Sequence, residues 1–208
     1  MSNITLQVSD AACDRGGRQL FAPVSFDLLA GQAMHIRGDN GAGKTSLLRG
    51  LCGLSPLSQG LVRWCGLPVV QARETFLSDV FFLGHALGLK DELSALENLQ
   101  AAQAIAGRPV SMQQATEALS AQGLAGRMYL PLRVLSQGQK RRVALARLQV
   151  STARLWLLDE PLVALDAAAQ QALTLLLQTH ISGGGMLLFT SHQSLDLGGA
   201  AQSLRLQA

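Results

Sequence analysis

The chain has 208 residues, with 17 Lys and Arg against 14 Asp and Glu and a formal net charge of +3 at pH 7. Its 48% content of hydrophobic residues is typical of a globular protein with a buried core and excludes a disordered chain. The basic excess is scattered, so charge alone does not argue for a nucleic-acid or acidic-lipid partner, and no apolar run approaches the roughly 18 residues of a membrane-spanning helix.

Strands dominate the first seventy residues. Alternating apolar residues predict strands at Ile4–Ser9 and Val24–Leu29, and two further strands are predicted at Ala33–Arg37 and Leu61–Cys65. We expect residues 1–70 to form a strand-rich layer wrapped around the loop that follows Arg37, with an N-terminal antiparallel β layer.

That loop, GDNGAGKTS, fits the phosphate-binding pattern G-x-x-x-x-G-K-[ST]. Glycines let successive backbone N–H groups point inward at an anion. Lys44 would reach the β- and γ-phosphates, and the Thr45 hydroxyl would hold a Mg²⁺ ion that bridges them. A helix predicted at Thr45–Leu51 would direct its N-terminus at the phosphates, and this agreement favours a phosphate site over a Gly-rich surface turn. The predicted nucleotide-binding residues here are Gly38, Asp39, Asn40, Gly41, Ala42, Gly43, Lys44, Thr45 and Ser46.

The middle of the chain is mainly helical. A fully apolar run at Val80–Leu83 predicts a buried parallel strand that ends at Gly84-His85. Helices are predicted within Leu89–Ile105, where Ser94 and Glu97 fit a capping box, and at Ser111–Gln122, which Gly123 stops. A third helix, Gln139–Val150, follows the sequence LSQGQ. We expect residues 86–150 to form a helical subdomain, and residues 1–85 and 151–208 to form the nucleotide-binding core.

Strands and helices alternate again in the last quarter. A strand at Leu155–Leu158 ends in Asp159-Glu160-Pro161, a helix is predicted at Ala167–Ile181, and a strand at Met186–Phe189 ends in Thr190-Ser191-His192. This alternation predicts an α/β fold with a mostly parallel sheet. The phosphate loop, Asp159-Glu160 and His192 all follow strands, which is where such sheets carry their functional residues.

Four stretches, GDNGAGKTS, LSQGQ, LWLLDEP and TSH, occur in this order. The set resembles the ATP-binding cassette ATPases, the motor subunits of ABC transporters, over essentially the whole chain. A phosphate loop alone is shared by many families, whereas LSxGQ about twenty residues before an apolar run ending in DE-P is far more specific. The resemblance implies a P-loop NTPase core, a single nucleotide-binding domain over residues 1–208, ATP hydrolysis, and ATP and Mg²⁺ as cofactors.

Three predicted catalytic or metal-binding residues follow the late strands. Asp159 is interpreted as the carboxylate on the Mg²⁺ side rather than a helix-capping acid. By the resemblance, Glu160 is the general base that polarises the attacking water, against the alternative of a solvated neighbour. His192 would hydrogen-bond the γ-phosphate, although a lone histidine is usually structural.

Residues around LSQGQ point to a second copy of the chain. Ser136, Gly138 and Gln139 lie where a helix begins, and a helix N-terminus attracts anions. The resemblance implies that they bind ATP held by a second copy, in a head-to-tail dimer with two ATP molecules. Asp166 resembles the loop that crosses between two cassettes; the alternative is an N-cap of the helix at Ala167, and both roles can hold.

Two positions depart from the family pattern. Arg15 stands where most cassettes have an aromatic residue that stacks on adenine; a guanidinium can stack too, and the alternative is a solvated turn arginine. His85 stands where most have a Gln that links Mg²⁺ and the attacking water to the helical insert. Because Mg²⁺ prefers oxygen ligands, His85 would act through a bridging water or by donating to the γ-phosphate; otherwise it merely caps the strand.

The short length, these departures and the runs LCGLSPLSQG and GLKDELSALENL resemble one subfamily, the ATP-binding subunit of the haem exporter used in cytochrome c maturation. This implies an integral membrane permease as partner, haem handled by partners, no nucleic acid, and a peripheral location on the cytoplasmic face of the inner membrane. The alternatives are the same motor with a different permease, or a soluble cassette ATPase acting on nucleic acid or ribosomes.

The N-terminus lacks a secretory signal pattern. The chain has three cysteines, Cys13, Cys52 and Cys65, which are interpreted as small apolar residues in a reducing compartment.

Overall fold

The computed structural model describes residues 5–199 and 201–207. The strands are β1 (Thr5–Ala12), β2 (Asp14–Arg15), β3 (Arg18–Gln19), β4 (Val24–Leu29), β5 (Ala33–Arg37), β6 (Gln59–Trp64), β7 (Leu67–Pro68), β8 (Val80–Leu83), β9 (Leu155–Asp159), β10 (Met186–Thr190) and β11 (Ala201–Arg205). The helices are α1 (Lys44–Leu51), α2 (Arg73–Asp79), α3 (Ala95–Ile105), α4 (Met112–Ala121), α5 (Gln137–Gln149) and α6 (Ala167–Ser182), with a 3₁₀ turn at Leu132–Val134.

Five strands form a parallel sheet in the order β11-β5-β10-β9-β8. Every residue of β9 and β10 is buried, as is β5 except for Arg37. These strands are mostly apolar because both faces of a parallel sheet are covered by other elements. The α/β fold with a mostly parallel sheet is confirmed.

A second, antiparallel sheet has the order β4-β1-β6-β7. Its inward residues Leu6 and Val8 share one apolar core with Leu47 and Leu51 of α1 and Leu157 of the parallel sheet. The expected N-terminal antiparallel layer is therefore present, and β5, which leads into the loop, belongs to the parallel sheet. A small β2–β3 hairpin stands apart from both sheets.

Some predicted boundaries are wrong by a few residues. The first strand continues past Ser9 to Ala12, and its predicted start, Ile4, lies outside the described residues. α3 begins at Ala95, directly after its N-cap Ser94, and the predicted capping box of Ser94 and Glu97 is confirmed. α5 begins two residues before Gln139, because Ser136 is its N-cap.

The chain divides into two compact units. The first comprises Met1–Gly84, Ala153–Pro161 and Leu177–Ala208, and contains both sheets. The second comprises His85–Thr152 and Leu162–Leu176, where α3, α4 and α5 pack around Leu99, Leu119 and Val143. Among residues 5–199 and 201–207, no helix has the length and apolar character that crossing a bilayer requires.

All three cysteines are free thiols. Cys13 and Cys52 lie in the core of the first unit, and Cys65 is partly buried against it. Burial raises the pKa of the Cys13 and Cys52 thiols, so both stay protonated and act as small apolar side chains.

Candidate nucleotide-binding and catalytic site

The loop between β5 and α1 is shaped by its glycines. Gly43 is the N-cap of α1, with φ of 90°, and a Cβ at this position would lie 2.6 Å from Cδ1 of Phe21. Only glycine fits that close approach and that left-handed backbone. The N-terminus of α1 thereby faces the interior of the loop, where its free N–H groups favour an anion.

Lys44 is the first residue of α1, and its side chain turns back across the loop. The Lys44 ammonium donates to the carbonyl oxygens of Gly38 at 2.7 Å and Asp39 at 3.1 Å. The positive charge is therefore held beside the same backbone N–H groups that would bind phosphate, as the sequence pattern predicts.

Three hydroxyl and carboxylate groups link the loop to the ends of β9 and β10. Thr45 Oγ1 donates to Asp159 Oδ2 at 2.7 Å, and Thr190 Oγ1 donates to Asp159 Oδ1 at 2.7 Å. Asp159 is only 3% exposed and Thr190 is fully buried. Both carboxylate oxygens of Asp159 are thus oriented by hydroxyl donors, and Asp159 lies beside Thr45 as the sequence predicts.

Glu160 follows directly and has a strained backbone. Its φ of 50° lies in the left-handed region, which costs a non-glycine residue about 1 kcal/mol. The Glu160 N–H donates to Thr190 Oγ1 at 2.9 Å, so the same hydroxyl that orients Asp159 also holds the turn at Glu160. The sequence did not single out Thr190, because threonine is common in strands and its presence at a strand end indicates no special role.

His192 lies against Glu160 in two ways. The His192 N–H donates to Glu160 Oε2 at 3.3 Å, and His192 Nε2 lies 3.6 Å from Glu160 Oε1. The His192 side chain is 60% exposed and that of Glu160 is 20% exposed, so both are accessible to a ligand.

One cleft of about 260 Å³ brings most of the predicted residues of the first unit together. Its lining comprises Arg15, Leu20, Asn40, Gly41, Gly43, Lys44, Thr45, Ser46, Asp159, Glu160 and His192. Arg15 reaches the cleft from the β2–β3 hairpin. A lysine, two acids, a hydroxyl and a histidine in one cleft suit a polyphosphate with a divalent cation.

The donor set also suits Mg²⁺. The Thr45 hydroxyl and the Asp159 carboxylate supply hard oxygen atoms, and two protein ligands are what Mg²⁺ takes when phosphates and waters complete its octahedron. The described residues contain no group of three or more His, Cys, Asp and Glu that could hold a metal without such help.

The second unit carries the remaining predicted residues. Ser136 Oγ accepts from the Gln139 N–H at 3.2 Å and Gln139 Oε1 accepts from the Ser136 N–H at 2.9 Å, which completes a capping box. A Cβ at Gly138 would lie 2.6 Å from the Ala164 carbonyl oxygen, so the 162–166 loop requires glycine there.

Asp166 and His85 also belong to this unit. Asp166 Oδ1 accepts from the Ala169 N–H at 2.9 Å, which confirms the N-cap interpretation, and its other oxygen pairs with Arg142. His85 is exposed and opens the unit, two residues after β8 ends.

These features define an ATP-binding cassette, a P-loop ATPase with an added antiparallel sheet and a helical unit. A family model described as ABC transporter matches residues 21–163. The chain belongs to the ABC transporter family, and the ABC-type ATPase predicted from sequence is confirmed.

Relatives and solved structures agree with this family. A protein of Nitrosospira multiformis, named cytochrome c biogenesis ATP-binding export protein CcmA, is 46% identical over 203 residues, 97% of this chain and 98% of the relative. The protein of the same name from Nitrosomonas europaea is 47% identical over 190 residues, 91% and 89% of the two chains. In fold, a putative ABC transporter ATP-binding protein from Pyrococcus furiosus matches with a TM-score of 0.83 at 22% identity, over 96% and 97%. A dimeric ATP-binding cassette in a post-hydrolysis state with ADP and Pi bound matches with a TM-score of 0.81 at 20% identity, over 98% and 97%.

Proposed function

We propose that the chain is the ATP-hydrolysing subunit of an ABC transporter complex that energises haem export, or release of a haem chaperone, in cytochrome c biogenesis. One observation carries the ATPase assignment. Thr45, Asp159 and Glu160 line the same cleft as Lys44, and Thr190 joins Asp159 to Glu160 by hydrogen bonds. The cytochrome c assignment is supported by the relatives' name and their match over nearly the full length of both chains.

Binding is the task of the loop and of Lys44. The N–H groups at the start of α1 and the Lys44 ammonium would surround the phosphates of ATP, and Arg15 would lie under the base. Thr45 and Asp159 would hold Mg²⁺, which neutralises charge on the β- and γ-phosphates when it is bound. Because hydroxyl donors already orient both Asp159 oxygens, the site needs little rearrangement to bind its ligand.

Glu160 supplies the base. Its carboxylate would accept a proton from the water that attacks the γ-phosphate. The His192 N–H fixes one carboxylate oxygen, and the exposed His192 imidazole is free to donate to the γ-phosphate. His85 is proposed to take the role that Gln has in most cassettes, through a water or the γ-phosphate.

A second copy of the chain and a permease complete the complex. Ser136, Gly138 and Gln139 at the start of α5 would bind the ATP of the second copy, and Asp166 would lie at the crossing between copies. An integral membrane permease would be the coupled partner, with this subunit peripheral on the cytoplasmic face of the inner membrane. Haem is handled by the partners, and nucleic acid is not a ligand.

The function is tested in the source organism by replacing the chain with Glu160→Gln. We expect haem-stained c-type cytochromes to disappear, and an integral permease to copurify with the chain from solubilised membranes. Normal c-type cytochromes together with a different permease would assign the motor to another cargo. Copurified ribosomal RNA or DNA without a permease would overturn the transport assignment.

The division of labour with the partners is tested by haem titration of the purified full chain. The sequence has no Cys-X-X-Cys-His pattern for haem attachment. We expect the absorbance of added haem to match that of haem in buffer. Saturable, stoichiometric binding at low micromolar haem would place the cargo site in this chain and contradict the proposal.

A further inference from the structure

One peptide group lies between the buried side chain of His35 and the carboxylate of Glu160. His35 Nε2 is 3.0 Å from the carbonyl oxygen of Ser191, and the N–H of the same peptide, belonging to His192, donates to Glu160 Oε2 at 3.3 Å. The two ends of a rigid, planar peptide are therefore held by a histidine on one side and by the proposed base on the other.

His35 is itself fixed in place. Arg37 Nε donates to His35 Nδ1 at 3.2 Å, and a guanidinium can only donate, so Nδ1 carries the lone pair and Nε2 carries the proton. His35 therefore donates to the Ser191 carbonyl. Its ring stacks on Phe189 of the neighbouring strand, with centroids 4.5 Å apart and planes 14° apart, and only 7% of the residue is exposed.

The charge state of His35 suits this role. Burial lowers the pKa of His35, opposed by its hydrogen bond to the Ser191 carbonyl, so the ring is neutral near pH 7. A neutral ring with a defined tautomer presents one donor in one direction.

We propose that His35, held by Arg37, is a positioning residue that orients the Ser191–His192 peptide and through it the carboxylate of Glu160. The physical reason is twofold. A peptide that cannot rotate fixes the direction of its N–H, and donation to its carbonyl polarises the group and strengthens the bond that its N–H makes. The inference rests on the proposed role of Glu160 as the base.

The chain offers a matched control in His180. His180 stacks on Trp156 with ring centroids 3.7 Å apart, and its Nε2 lies 3.2 Å from the carbonyl oxygen of Met186. Both histidines thus combine an aromatic stack with a bond to a backbone carbonyl of β10 or the residue after it. His180 lies at the opposite, amino end of β10, and it is not among the residues that line the cleft.

The experiment compares His35→Phe, His35→Gln and His180→Phe in the full chain with its copurified partner. Phenylalanine keeps the stack but lacks both nitrogens, whereas glutamine can still donate to the Ser191 carbonyl and accept from Arg37. We expect His35→Phe to lower kcat about 5- to 30-fold, with the dissociation constant for ATP changed less than about twofold. His35→Gln should recover kcat to within about threefold, and His180→Phe should equal the unmutated protein.

A double variant separates this inference from the proposed function. If His35 acts through Glu160, adding His35→Phe to Glu160→Gln should change the residual rate less than about twofold. If Glu160→Gln is slow but His35→Phe is as fast as His180→Phe, the positioning role is overturned and the function stands. If Glu160→Gln alone hydrolyses ATP at the unmutated rate, the proposed base and this inference both fall.

The single variants can also overturn the positioning role. They do so if His35→Gln does not restore the kcat that His35→Phe loses, or if the lower kcat of His35→Phe is matched by weaker ATP binding. Should His35→Phe not fold, Arg37→Met replaces an exposed residue instead. It removes the donor that fixes the tautomer of His35, and we expect it to lower kcat about 2- to 5-fold.

Discussion

Thr45 and Asp159 are 114 positions apart in the chain and are joined by a 2.7 Å hydrogen bond from the Thr45 hydroxyl to Asp159 Oδ2. Thr45 lies in α1, which follows β5, and Asp159 is the last residue of β9. The strands β5 and β9 are not neighbours, because β10 lies between them in the sheet. Thr190 is the last residue of β10, and its hydroxyl donates to the other carboxylate oxygen of Asp159, Oδ1. The strand order thus supplies two donors for one buried carboxylate.

Replacing Lys44 with alanine removes the ammonium that spans the loop. We expect Lys44→Ala to lower ATP hydrolysis by about 100-fold or more, since a preorganised charge on the transferred phosphate contributes several kcal/mol to the transition state. The measurement is ATPase rate with the membrane partner present, together with ATP affinity. Lys90→Ala, at an exposed position of the second unit, is the control. Hydrolysis by Lys44→Ala at the rate of Lys90→Ala would remove the loop from the active site.

Glu160→Gln keeps the shape of the side chain and removes the base. We expect ATP binding to persist and hydrolysis to fall by roughly 10² to 10⁴, the usual contribution of a positioned base. Because ATP then survives between two copies, the variant should elute as a dimer on size exclusion with ATP and Mg²⁺, and as a monomer without them. Glu117→Gln on the exposed face of α4 is the control. A variant that stays monomeric with ATP and Mg²⁺ would argue against the two-copy site.

His85 is exposed at the start of the helical unit. Most cassettes have a Gln at this position, so substitution of His85 by Gln tests its role. We expect His85→Gln to retain partner-stimulated hydrolysis, because a Gln oxygen can serve the same water-mediated contact. His85→Ala should lose stimulation more than it loses ATP binding. Unstimulated hydrolysis of the same proteins without the partner is the control. Equal stimulation of all three proteins would leave His85 as a strand-capping residue.

The parallel sheet could be predicted from the sequence because β8, β9 and β10 each contain an apolar run of four residues. β8 was predicted to the residue, and β9 and β10 to within one. β11 was missed because its residues, AQSLR, are mostly exposed, and its pairing with β5 is decided by the neighbouring strand. α2 was missed because it has seven residues and buries only Phe76 and Asp79, too few for a helical period.

Residue type and spacing were enough to select the phosphate loop, Asp159, Glu160 and His192 from the sequence, and residues of all four lie in one cleft. Thr190 and His35 were missed because their roles come from strand register. His35 faces Phe189 across two paired strands, and its partner Ser191 is 156 positions away. A single sequence carries no signal of that pairing, although a histidine inside an otherwise apolar strand is an unusual residue to bury.

His35, which is buried, and His180, which is half-buried, predict that stability falls in mild acid. Burial lowers the pKa of His35 and of His180 in the folded protein. Below about pH 6.5 the unfolded chain binds protons at both positions while the folded protein does not, so the free energy of unfolding decreases as pH falls from there toward the lowered values. Urea midpoints at about pH 7.5 and 5.5 should therefore differ less for His180→Phe than for the unmutated protein, and least for the double variant His35→Phe/His180→Phe. An equal drop in all three would assign the acid sensitivity to other groups.

Thr190→Val tests the residue that sequence patterns did not reveal. Valine has the shape of threonine but cannot donate to Asp159 or accept from the Glu160 N–H, so two groups at the buried end of β10 lose a partner. We expect a loss of about 1–3 kcal/mol in the free energy of unfolding, measured by urea denaturation. ATPase activity should also fall about tenfold or more at saturating ATP, because both Asp159 and the turn at Glu160 lose their alignment. The control is Thr116→Val on α4, whose hydroxyl donates to the Gln113 carbonyl at an exposed position and whose loss should change stability by no more than about 0.5 kcal/mol. If Thr190→Val and Thr116→Val unfold at the same urea concentration and hydrolyse ATP equally fast, the Thr190 hydroxyl does not hold the two acidic residues in place.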